Sequence, residues 1–182
     1  MLLSSDVKIQ QIYLTVLFSC FAAITFAQSK SDTARINFIK SQYTLINSRL
    51  PFYKTVTKND NRKSQSTNGG RVTAYFDSGE LKKIVADYYN DTGKATYEYY
   101  YYHSKLIFYY GITYHYKIPL SANPKHIKID STYEGRLYFH NGVLVSYVNY
   151  PQKAFSQTQL NQVLTETLNE AAHILKLAAG RR

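Results

Sequence analysis

Asp87 and Glu98 are the carboxylates whose spacing first invites a chemical reading. A hairpin between them would bring them close on neighbouring strands, and a pair of carboxylates is what glycoside hydrolysis uses. Lys82, Lys83 and Lys94 flank both, so cross-strand ion pairing on a wet sheet face is the stronger reading. Asp130 and Glu134, beside Arg136, read the same way. The five histidines are His103, His115, His126, His140 and His173, and no two fall at a metal-ligand spacing. His103 and His140 fall in turns, His126 follows a proline, His173 belongs to a helix, and only His115 falls mid-strand. No HExxH, GxSxG, Walker A or GxGxxG pattern is present. These residues point to no catalytic group, no metal and no cofactor.

Recognition chemistry is better represented. The chain has 19 tyrosines and no tryptophan, and tyrosine offers a large amphipathic contact at low entropic cost. Tyr100, Tyr102 and Tyr109, with Lys105 and His115, form the candidate binding set, an aromatic and basic patch for an anionic or glycan-like ligand. The alternative is that a second layer, such as a helix over Ser31–Leu50 or a curl of the sheet into a half-barrel, covers this face. Tyr97, Tyr99, Tyr101 and Tyr110 are assigned to the core.

The elements that must position these groups are legible in the pattern. Ser31 to Leu50 reads as a helix, with Ile36, Ile39, Tyr43, Ile46 and Leu50 at helical spacing and Pro51 as its stop. Residues 54–70 are polar and read as a mobile basic loop. From Arg71 to Tyr150, runs of aromatic and β-branched residues alternate with Asp, Asn and Gly turns, the signature of consecutive hairpins. Asn141-Gly142 is the sharpest turn, since both residues tolerate the positive φ of a type I′ turn. Period-two alternation puts Ile84, Ala86 and Tyr88 on one face with Tyr97, Tyr99, Tyr101, Leu106, Phe108, Tyr110 and Ile112. Lys83, Asp87, Glu98, Tyr100, Tyr102, Lys105, Tyr109, Thr113 and His115 take the other face, while the Asn90–Gly93 turn also accommodates a register slipped by one residue, which would mix the two sets. Gly111, mid-strand, suggests a bulge or bend. Ser156 and Gln159 form a capping box for a C-terminal helix. Its apolar stripe is Leu160, Val163, Leu164, Leu168, Ala171, Leu175 and Ala178, and Gly180 ends it. The expected class is α+β: an antiparallel β-meander sheet, flat or curled into a half-barrel, with an N-terminal helix and a C-terminal amphipathic helix on one side of it.

The hairpins also share a shape. Tyr75-Phe76-Asp77-Ser78-Gly79, Tyr88-Tyr89-Asn90-Asp91-Thr92-Gly93 and Tyr138-Phe139-His140-Asn141-Gly142 each end a strand on two aromatics and turn through glycine. Tyr101-Tyr102-His103-Ser104 is a glycine-free variant. Over residues 71 to 150 this resembles the hairpin units of MORN-type repeat proteins, and also secreted proteins of Bacteroidetes-type bacteria. The early copies recur every ~13 residues and then lose the period. The resemblance implies a structural or interaction module and carries over no catalytic residue.

The first residues place the protein. An apolar run from Ile12 to Ala27 has the length of a signal-peptide core and is shorter than the ~20 residues of a membrane span. Thr25 and Ala27 are the small residues of a cleavage site, which makes 1–27 a signal peptide, with cleavage between Ala27 and Gln28, and 28–182 a single domain. Lipid attachment at Cys20 is the lesser reading, because the apolar run continues past it. Cys20 is the only cysteine, so the mature chain has neither disulfide nor thiol chemistry. The net charge of +10 favours anionic partners, while export disfavours nucleic acid. The sequence therefore reads as an exported, non-enzymatic binding module of the cell envelope or exterior. The other reading is a structural or inhibitor-type domain whose partner is a secreted protein.

Overall fold

The computed structural model describes residues 32–62, 69–122 and 127–180. The expected signal peptide, its Ala27–Gln28 junction, Cys20, Ser31 and His126 lie outside these residues. The chain divides into two compact units, Met1–Phe38 and Ile39–Arg182. In the first, 32–38 is helical, and Arg35 Nη1 donates to Asp32 Oδ1 at 2.9 Å, one turn apart. Helix α1 as a whole covers 32–48. Pro51, which cannot continue a helix, sits in the single 3-10 turn Leu50–Phe52 that follows.

The second unit holds a seven-stranded antiparallel meander: β1 Lys54–Asp60, β2 Gly70–Asp77, β3 Glu80–Asn90, β4 Gly93–Tyr102, β5 Lys105–Tyr116, β6 Ile129–His140 and β7 Val143–Tyr150. Strand order equals chain order, with β1 and β7 as the two edges. The loop expected over 54–70 is corrected by β1, which pairs with β2 from Lys54↔Phe76 to Asp60↔Gly70. Thr55, Val56 and Thr57 supply the β-branched residues, and an edge strand accommodates lysines that would be costly in the middle of a sheet. Residues 63–68 of that expected loop lie outside the described ones.

Helix α2, Gln157–Ala179, has the expected ends. Ser156 and Gln159 form the capping box, and Gly180 closes the helix in the left-handed conformation at φ 55°. Its Ala171, Ile174 and Ala178 bury against Val72, Ala74, Ile84, Ala86, Tyr88, Tyr99 and Tyr101. Ala74 and Ala86 are fully buried, and short side chains there let the helix approach the sheet closely. The buried stripe is rotated from the expected one. Thr167, Ala171, Ile174 and Ala178 are buried, whereas Leu168 and Leu175 are 44% and 39% exposed.

Helices on one side of the sheet are one expectation of the pattern; the part of α1 from residue 39 on instead lies on the face opposite α2 and covers the tyrosine face, the alternative the sequence also offers. From residue 39 on, α1 covers the face that carries Lys83, Tyr100 and Phe108, through Tyr43 and Asn47. A bulge explains why that face is apolar enough to bury. Tyr100 pairs with Phe108 but Tyr101 pairs with Leu106, so Ile107 is an extra residue and every later β5 side chain changes face. Phe108, Tyr110 and Ile112 thereby join Tyr100 and Glu98, while Tyr109 and Thr113 join Tyr97 and Tyr99. Gly111 is in register, opposite Tyr97 and Gly135; the bulge lies four residues before it. Among the described residues, no helix is long and apolar enough to cross a membrane.

Candidate functional site

Pairing of Phe108 with Tyr138 and of Tyr110 with Arg136 puts three aromatic rings and one guanidinium side by side on the α1 face of β5 and β6. Ile39, Lys40 and Tyr43 of α1 form the opposite bank of a groove of about 330 Å³. The rings brace one another: Tyr43 meets Phe108 edge-on at 5.5 Å, and Phe108 lies 4.9 Å from Tyr138. Arg136 reaches over the Tyr110 ring, with its guanidinium carbon 5.6 Å from the centroid, and donates to Glu134 Oε2 at 3.0 Å. Burial raises the pKa of the Tyr110 hydroxyl, and the Glu134 charge adds to the effect. The hydroxyl therefore stays a neutral hydrogen-bonding group. Arg136 also borders a second depression on the same face, with Val148, Asn149, Tyr150 and Gln152, so one cation serves both. The arrangement can stack a ring on aromatic walls and pair an anion with Lys40 and Arg136.

The five residues expected to bind do not come together. Tyr100 is fully buried under α1, where its hydroxyl donates to Glu98 and accepts from Asn47 Nδ2 at 3.1 Å. Tyr102 is half-buried at the end of β4, against the His103 ring. Lys105 is exposed and donates to Asn141 Oδ1 at 3.3 Å. Tyr109 lies on the opposite face, 5.2 Å from Tyr99. His115 is exposed, edge-on to Tyr133 at 5.6 Å. The residues that do converge include Phe108 and Tyr110, which unbroken alternation sends to the other face, and Tyr43, which helical spacing marks as core. Arg136 was visible only as a neighbour of Glu134. The same register shift follows the turn in three hairpins, with Lys82, Ile107 and Val145 as the extra residues, so the shared hairpin shape carries a signal that period-two alternation does not read.

The carboxylates have structural partners. Glu98 pairs with Lys83 Nζ at 3.1 Å, and Asp87 accepts from Thr96 at 2.8 Å and faces Arg71 at 3.5 Å. Lys83 is buried, which lowers its pKa against the opposing pull of Glu98. A second network pins α2 to the sheet. Arg62 donates to Asp60 and to both oxygens of Glu170, at 2.6 and 3.0 Å, and Tyr88 donates to Glu170 at 2.7 Å. Burial is the largest single influence on Asp60 and pushes its pKa up. The hydrogen bonds from Arg62 and Tyr88 outweigh it and hold the carboxyl below its ordinary range. Among the described residues, no three His, Cys, Asp or Glu side chains are grouped to hold a metal ion.

Comparison of the chain with protein-family models, with curated proteins and with solved structures returns no match in any of the three.

Proposed function

We propose that the protein is an exported, non-enzymatic binding module of the cell envelope or exterior, and that its groove beside α1 takes an anionic, glycan-like ligand. The observation that carries this reading is the placing of Arg136 over Tyr110, with Lys40 on the facing bank. Sugar rings stack on aromatic walls, and a carboxylate or sulfate on such a ring would meet the two cations. The net charge of +10 draws anionic polymers toward the site. Export rests on the leader pattern of residues 12–27. The test is retention of the purified protein on an immobilised acidic polysaccharide, compared with a neutral one. Retention should fall as sodium chloride rises, and K40A/R136A should weaken it by at least about tenfold, the scale of a single charge-assisted contact, since it removes two. Equal retention on the neutral matrix, or an unchanged double variant, would remove the groove from consideration.

A partner protein is the second reading, and edge strand β7 favours it. Val143, Val148 and Tyr150 are 67%, 48% and 66% exposed beside an edge that no strand among the described residues pairs with, the setting in which another chain can add a strand. A protein that co-purifies with wild type and is lost on substitution of these three residues would support it.

A further inference from the structure

On the face opposite the groove, a cleft of about 450 Å³ opens between α2 and the sheet, within the size range of small-molecule sites (~300–1,000 Å³). We infer that this cleft binds an organic ammonium cation. Its walls are the rings of Tyr97, Tyr99 and Tyr109, with Glu166 and Glu170 of α2 bordering it. Tyr97 and Tyr109 are nearly parallel, 27° apart with centroids at 6.2 Å, and Tyr99 lies 5.2 Å from Tyr109. Gly111 makes this wall possible. A Cβ at that position would stand 2.3 Å from the Tyr109 hydroxyl oxygen, so only glycine lets the Tyr109 ring lie along the strand.

The charges of the cleft are unequal in standing. Arg62 is already held by Asp60 and by both oxygens of Glu170, so it has little left for an anion. Glu166, one turn earlier and exposed, receives only the neutral amide of Gln162 at 2.9 Å. Among the described residues no cationic side chain pairs with it. The cleft thus presents an unneutralised carboxylate beside the partly exposed rings of Tyr97 and Tyr109, with Tyr99 buried behind them, in a chain whose net charge is +10. A small inorganic cation needs several oxygen ligands at once, and one available carboxylate does not supply them. A weakly hydrated alkylammonium group needs only aromatic rings and one counter-charge.

Choline and its uncharged tert-butyl analogue distinguish these cases, read by chemical-shift changes of the full protein. Choline should move the aromatic resonances of Tyr97 and Tyr109 and the backbone signals of Gly111 and Glu166, and the analogue should leave them in place. E166Q, at an exposed position that leaves the fold intact, should weaken choline binding about threefold to tenfold. Equal binding of the analogue would show apolar filling and overturn the inference. So would an unchanged affinity in E166Q, or shifts absent up to tens of millimolar choline.

Discussion

Arg62 holds two carboxylates that the fold has taken from water. Asp60 is 3% exposed, and the Glu170 side chain 13%. Removing the guanidinium leaves both without their counter-charge, and broken buried pairs cost ~3–5 kcal/mol. Arg62 is itself about a quarter exposed, so water offsets part of that, and R62A should lose about 2–3 kcal/mol in urea unfolding. The deficit depends on pH with a definite sign. Because the folded Asp60 carboxyl binds its proton less readily than the unfolded one, its contribution is complete above the ordinary carboxylate range of ~4. It is lost as pH falls through the lowered folded value. The gap between wild type and R62A should therefore close on acidification below about pH 4; a gap constant with pH would mean the loss is one of packing. Lys83 makes a parallel case on the other face. K83M should cost about 2 kcal/mol by stranding Glu98, and K83M/E98Q should recover at least half of it in the same assay.

At the scale of elements, α2 separates what pattern reveals from what packing decides. The capping box and the closing glycine follow from local hydrogen bonding and φ preference, and both are where the sequence puts them. The buried face is not quite so legible, because Leu168 and Leu175 are as apolar as Ile174. Only the position of the sheet chooses among them. Ile174→Ala should cost about 3 kcal/mol, since a fully buried branched chain leaves a cavity, while Leu168→Ala should change stability by less than about 1 kcal/mol. Comparable losses at the two positions would show that α2 sits differently on the sheet. The hairpins repeat the lesson. Asn141 and Gly142 adopt φ of 51° and 81°, the type I′ turn their identities demand. The bulge at Ile107 lies in a run of apolar and aromatic residues that would be acceptable in either register, so the alternation rule continued straight through it.

At the scale of the whole molecule, charge and topology act together. A chain of net +10 repels itself when folded, so added salt should raise the thermal midpoint modestly, as followed by circular dichroism in rising sodium chloride. A midpoint that fell with salt would mean that native ion pairs, such as those of Arg62, outweigh the repulsion. Chain-order pairing of all seven strands follows from short turns between sequential hairpins. That is why an antiparallel meander with flanking helices could be read from one sequence: turn chemistry, helix caps and β-branched runs are local properties and need no knowledge of distant residues. The choice of α1 rather than a curl of the sheet to cover the tyrosine face, the strand made from a polar segment at Lys54–Asp60, and the groove of Tyr43, Phe108, Tyr110 and Arg136 were decided only by the tertiary structure. One extra residue in β5 exchanges the two faces of everything after it. The bulge sets Phe108 against Tyr43 and Tyr100 on one face and Tyr109 against Tyr99 on the other, and the helices that bury those faces lie far away in the chain.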